Sequence, residues 1–417
     1  MRIYLEALRV RYVAHLLFSQ LLARFPAGML SIALLIHVEQ TYGDYTAAGF
    51  TIAAFAVGQG IAGPLGGRLL ARFGMRRLLV TTLAICATSL TMLGLTTPPM
   101  SVLLPIAFVT GLTVPPVPSA VRTLYPKVAA GPQLKSVFAI DATLQEIIWI
   151  LGPLLTTAIA ATFCPRVGIV LCAVVLLVGG AWFVSAPPVG QVKIPRSPRP
   201  LGAVLREPVV AIMTLVCTFA IGSWGALDTA AIARFGHDNP FVGAVLGLSA
   251  VGSLIGGLVA GLLGMPKWSM AARVAVAATG AVVALFMVDQ PFGLVAAYFV
   301  AGMAAAPVIA LANTAVSAAV RFSDTAEAFG WLATAQLVGS AASSALAGIA
   351  IDQFGAVGGL IVGAGFTVIA LIIAIVAIPW LPDLRTGEIS PRPDTVPIVL
   401  PNSGPQPMPK PTRDCIP

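Results

Sequence analysis

Apolar residues run along this chain in twelve long stretches, near residues 13–37, 46–70, 77–97, 101–124, 136–161, 167–186, 208–233, 241–264, 270–288, 293–320, 327–350 and 356–381, with most charged residues gathered between them. A helix needs about 20 apolar residues to cross a ~30 Å hydrocarbon layer, so each stretch predicts a membrane span. Six lie on either side of the segment from Pro187 to Glu207, and the two sets echo each other. Ala56, Val57, Gly58, Gly63 and Gly67 recur 194 positions later as Ala250, Val251, Gly252, Gly257 and Gly261, and the same offset carries Asp44 onto Asp238 and Gly49 onto Gly243. Internal repetition of this kind marks transporters built from two related halves, with the site between them. The predicted fold is an all-α membrane protein of twelve transmembrane helices in two pseudo-symmetric six-helix bundles, residues 1–186 and 208–381.

Composition agrees with this reading. The chain is 58% hydrophobic and 10% charged, with a mean hydropathy of +0.95, far from the roughly 25% charged of a soluble domain. The joining segment, 187–207, holds Pro187, Pro188, Pro195, Pro198 and Pro200 among Lys193, Arg196 and Arg199. That mixture disfavours burial and predicts an extended linker that lets the halves move. The tail, 382–417, is proline-rich and almost free of aromatic residues, which predicts disorder and dispensability for transport. No cleavable leader is expected, because the first apolar run is long and shows no short core with a small-residue cleavage site. Cys86, Cys172 and Cys217 fall in predicted spans, Cys164 in a loop and Cys415 in the tail, with no metal-ligand spacing and no disulfide framework.

The 24 basic residues set the orientation. Arg2, Arg9, Arg11, the even-numbered loops, the linker and the tail hold 21 of them, whereas the opposite loops hold Arg166 and Arg234. The positive-inside rule then places both termini in the cytoplasm of a multi-pass bacterial inner-membrane protein. The net charge of +8 reads as topology and attraction to anionic membrane lipid, with no call for nucleic acid, and a monomer is expected.

The glycine stripes Gly63/Gly67 and Gly257/Gly261 permit close helix approach. The first continues into Gly67-Arg68-Leu69-Leu70-Ala71-Arg72-Phe73-Gly74-Met75-Arg76-Arg77 at the basic end of the second span. This segment resembles the signature loop of the major facilitator superfamily, matching it at Gly67, Arg72, Gly74, Arg76 and Arg77. The resemblance implies two six-helix bundles rocking about a central site, with spans one, four, seven and ten lining the path; Pro105, Pro115, Pro116 and Pro118 in span four and Pro307 in span ten fit bending helices there. Ala71 stands where the family carries the aspartate that latches the cytoplasmic gate. A substitute latch would join Arg72 or Arg68 to Asp324 or Glu327 at the start of span eleven, where carboxylates favour a helix N-terminus; the alternative is that all four are solvated charges. Gly152-Pro153 in span five resembles the glycine-proline element of family antiporters, which favours export.

Four charges stand well inside predicted spans: Arg24, Asp141, Glu146 and Asp228. Intramembrane ionisable groups face partners or cavities and usually serve transport. By helical rise Arg24 lies roughly 16 Å deep and Glu146 roughly 15 Å deep, so Glu146 is expected either to pair with Arg24 or to act as the proton-coupling acid, the preferred reading. Asp141 and Asp228 are the further coupling candidates. Arg24 alternatively grips an anionic or hydroxyl-bearing substrate group. Gln20, Trp149, Trp224, Asn313 and Gln336 are candidate cavity-lining residues, against the plainer use of packing and interhelical hydrogen bonding.

No metalloprotease motif, phosphate loop or nucleophile elbow is present, and His15, His37 and His237 are scattered, so no enzyme and no cofactor is expected. The preferred function is proton-coupled efflux, by antiport, of a small, mostly apolar or weakly charged organic solute. A proton-coupled uptake symporter is the alternative, and a membrane sensor or scaffold on the same fold is the rival from a different class.

Overall fold

The computed structural model describes residues 2–43, 45–236, 240–385 and 390–393. Asp44, His237 and Asp238, and the tail beyond residue 393, lie outside the described residues. A short amphipathic helix α1 (Arg2–Arg9) precedes the first bundle, made of α2 (Val13–Arg24), α3 (Pro26–Tyr42), α4 (Tyr45–Phe73), α5 (Met75–Leu95), α6 (Met100–Leu112), α7 (Val117–Val128), α8 (Gly131–Thr162) and α9 (Pro165–Ser185). The linker forms α10 (Pro187–Gln191) and a 3-10 turn at Ala203–Arg206. The second bundle contains α11 (Pro208–Ala220), α12 (Ser223–Phe235), α13 (Pro240–Ala260), α14 (Ser269–Phe286), α15 (Pro291–Gly302), α16 (Ala305–Ala319), α17 (Thr325–Phe354) and α18 (Ala356–Val376). Together they make 12 helices long and apolar enough to cross a membrane.

Four spans are made of two pieces: α2 with α3, α6 with α7, α11 with α12, and α15 with α16. These are spans one, four, seven and ten. Pro26 starts α3, Pro115 and Pro116 separate α6 from α7, and Pro307 follows the break before α16. A proline supplies no N–H and crowds the carbonyl four residues back, so the break falls where the sequence removes a rung. The seventh span bends at Ile221 and Gly222 instead, where a Cβ on Gly222 would collide with the Thr218 carbonyl.

The repeat is visible in the packing. A Cβ on Gly58 would strike the Phe108 carbonyl, and one on Gly252 the Phe299 carbonyl; Gly111 and Gly302 meet the carbonyls of Phe55 and Ser249 in the same way. Spans two and four thus cross as spans eight and ten do.

The apolar core divides by depth. On the face that carries the linker and most of the basic residues, here the basic face, one cluster runs through both bundles, including Leu16, Leu124 and Phe138 of the first and Met213, Val316 and Phe329 of the second. Toward the opposite face there are two separate clusters, one of first-bundle residues such as Met29, Leu90 and Ile169, the other of second-bundle residues such as Leu227, Ala281 and Leu360. The bundles share a core over one half of their length and part over the other.

The linker is packed more closely than its composition predicts. Pro188, Val189, Ile194 and Val204 are buried, because the few apolar residues between the prolines reach the grooves at the helix ends. The tail is docked where it is described. Leu384 is buried and its N–H donates to the Met265 carbonyl at 3.0 Å, while Arg392 bridges Val320 and Phe322 through its backbone at 2.9 and 3.1 Å. Asp383 is hydrogen-bonded by Arg385, which holds its pKa down to about 2.

Candidate functional site

The basic half of the inter-bundle seam is built from missing side chains. At Gly67 a Cβ would collide with the Ala326 carbonyl and lie 2.7 Å from the Glu327 Cα; at Gly63 it would collide with the Thr334 hydroxyl. The other seam repeats this: Gly257 faces the Thr143 hydroxyl and Gly261 the Tyr4 hydroxyl. Thr334 donates to the Gly60 carbonyl at 2.9 Å, so α4 and α17 are tied as well as packed.

Charge closes the end of the same seam. Arg68 Nη1 donates to Glu327 Oε2 at 2.6 Å, and the backbone N–H of Gly202, in the linker, donates to Oε1 at 2.7 Å. Both oxygens of one buried carboxylate are thus satisfied, one from the first bundle and one from the linker. Arg199 lies 4.0 Å from Asp324 and 3.0 Å from Glu207; these carboxylates, Glu207 first, raise the Arg199 pKa above its ordinary value. Of the two arginines expected in the latch, Arg68 makes it. Arg72 lies over the Phe73 ring instead and offers its carbonyl to Arg196. Gly74, at φ 86°, turns the chain between α4 and α5, Arg76 donates to the Val184 carbonyl at 3.2 Å, and Arg77 is exposed.

Deeper in the first bundle a polar cluster surrounds Asp141, which is fully buried. Its Oδ1 accepts from Gln20 Nε2 at 2.9 Å, from the Tyr125 hydroxyl at 3.2 Å and from Arg24 Nη1 at 3.4 Å, while Oδ2 accepts from Arg122 Nε at 2.9 Å. Arg24 also donates to Gln20 Oε1 at 2.8 Å and to Gln145 Oε1. Three helices, α2, α7 and α8, are pinned here, just before the kink that follows Arg24.

Two expectations are corrected. Arg24 pairs with Asp141, not Glu146: the two acids lie five residues apart, about 140° round the helix, and Asp141 is the one turned toward α2. The charges inside the spans are also more than four. Arg122 and Arg273, which the sequence reading places in loops, are 2% and 8% exposed; Arg122 lies near the end of the predicted apolar run, where a basic residue reads as topology until its carboxylate partner is seen.

Glu146 faces the other seam. Its carboxyl lies toward the Ser253 hydroxyl of α13, which accepts from the Ala306 N–H at 3.0 Å. Asp228 is exposed on α12, one turn from Trp224, whose ring lies 6.4 Å from that of Tyr298. Trp149 is 52% exposed on the outer part of α8. Asn313 is buried with its amide nitrogen unpartnered, and Gln336 donates to the Leu332 carbonyl at 3.2 Å. Among the described residues no cluster could hold a metal ion.

No curated protein matches the sequence. Solved structures match in fold. A bacterial homologue of the iron transporter ferroportin in its outward-facing state is 15% identical with a TM-score of 0.69, covering 88% of this chain and 99% of its own. The E. coli fucose:proton symporter FucP is 14% identical with a TM-score of 0.69, covering 87% and 98%. The proton:xylose symporter XylE is 13% identical, again at 0.69, covering 91% and 98%. The Major Facilitator Superfamily profile matches residues 16–288, and with the kinked spans, the glycine seams and the loop after α4 already described, the chain belongs to that superfamily of membrane transporters.

Proposed function

We propose that the protein carries a small organic solute across a bacterial inner membrane by alternating access, coupled to protons, with its basic face in the cytoplasm. The observation that carries the reading is the divided core: one shared cluster on the basic side and two separate ones beyond it, the arrangement of a carrier closed to one side and parted toward the other. Rocking the bundles would open the Gly67–Ala326 and Gly257–Thr143 seams and break the Arg68–Glu327 pair.

Glu146 is the coupling acid in this reading. It is 8% exposed and spans the α8–α13 seam to Ser253, so separating the helices exchanges that partner for water. A carboxylate's charge is costly wherever water is excluded, and seam opening therefore changes how readily this group is ionised. Asp228, exposed within a span, would meet water on the parted side, since a carboxylate in a span faces a cavity and not lipid. Export by antiport is preferred because Gly152-Pro153 sits at the crossing of spans one and five, where a Cβ on Gly152 would lie 2.6 Å from the Gly28 carbonyl carbon.

Glu146→Gln tests the reading. It keeps the size and hydrogen bonding of the protonated acid and cannot release a proton. In proteoliposomes, pH-gradient-driven transport should be lost while substrate exchange survives. Unchanged gradient-driven transport would remove Glu146 from coupling, and the sign of the gradient that drives accumulation separates export from uptake.

A further inference from the structure

The cluster around Asp141 is one negative charge short. Arg24 and Arg122 bring two cations, Asp141 is the carboxylate that pairs with both, and Gln20, Tyr125 and Gln145 are neutral. Gln145 locates the deficit. Its Oε1 accepts from Arg24 Nη2 and, at 3.4 Å, from Arg122 Nη2, so a neutral amide stands where a second carboxylate would complete the pairing. Glu146 does not supply it, being turned to Ser253 on the opposite seam.

Exposure gives the cluster a direction. Gln20, Asp141 and Tyr125 are fully buried and Arg122 nearly so, whereas Arg24 retains 13% of its side-chain surface, Gln145 is half-buried, and Trp149, one turn beyond Gln145 on α8, is open. Exposure thus rises from Asp141 through Arg24 and Gln145 to Trp149, and Trp149 marks the open side of the cluster. A net charge held away from water calls for a counter-charge, and a planar guanidinium suits a carboxylate.

We propose that Arg24, Gln145 and Arg122 receive the anionic group of the transported solute, which is an organic monoanion whose apolar body lies toward Trp149. The deficit is one charge, so a monoanion fits and a polyanion does not. This rests on the reading of the chain as a solute carrier.

The test uses the full-length protein in nanodiscs, with benzoate, octanoate and lactate compared with benzamide, octanamide and lactamide by thermal shift and calorimetry. At least one acid should stabilise the protein where its amide does not, and Arg24→Gln should abolish that difference. Gln145→Glu supplies the missing charge from within: the unliganded protein should melt higher and the acid should bind at least about tenfold more weakly. A purely structural cluster predicts the higher melting temperature with acid affinity unchanged. Equal stabilisation by acid and amide, stabilisation by none of the acids, or full acid affinity in Gln145→Glu overturns the proposal. An acid bound with the expected pattern but not carried into proteoliposomes upholds the anion site and overturns the transport reading.

Discussion

A methyl group at Gly67 would have to share space with the Ala326 carbonyl and the Glu327 backbone, so the closed seam depends on the absence of one carbon. Gly67→Ala should disfavour the closed basic side by about 1–3 kcal/mol, the usual range for overpacking. Spin labels at the basic ends of α4 and α17 should then report a shift to longer distances; an unchanged distribution would show that the seam absorbs the methyl. Sequence alone marks Gly67 through its spacing and its place in the loop pattern. It does not identify the partner of Arg24, because depth is legible in a helical sequence and pairing across helices is not: Glu146 matches Arg24 in depth, while Asp141 matches it in azimuth. Arg122 is hidden for a related reason, since two residues from the end of an apolar run a basic side chain looks like a topology signal.

At the level of elements, the latch joins three pieces of chain, with Glu327 on α17 held by Arg68 from α4 and by Gly202 from the linker. Arg68→Gln and Glu327→Gln should each favour the inward-open state, and a double-mutant cycle should give a coupling of about 0.5–3 kcal/mol. Exchanging the charges, Arg68→Glu with Glu327→Arg, should restore part of the loss, because the Gly202 N–H has no acceptor in an arginine. Complete restoration, read from the same spin-label distances, would remove the linker from the latch. The twelve spans were legible because length and apolarity suffice to define them. Linker docking was not: it uses a backbone N–H, Pro188 and three apolar side chains among the prolines, none of which stands out in composition.

For the whole molecule, the orientation proposed from the basic residues puts Cys164, an exposed thiol at the start of α9, on the face opposite the termini. A membrane-impermeant maleimide added outside intact cells should label it, and labelling confined to inverted vesicles would reverse the topology. Which half of the molecule is closed could not be read from the sequence, since the same chain must encode both states; the split of one core into two reveals it. The two seams also share a grammar. Ala142-Thr143-Leu144-Gln145 on α8 and Ala333-Thr334-Ala335-Gln336 on α17 are the same motif 191 residues apart, each setting its threonine against a glycine of the other bundle, Gly257 and Gly63. Each bundle is therefore knob to its neighbour at one seam and hole at the other, the reciprocity of an isologous dimer. The chain keeps within itself the self-complementary contact of a two-fold homodimer, and because the second copy of the motif has Leu332 where the first has Asp141, the two seams share their packing and differ in charge.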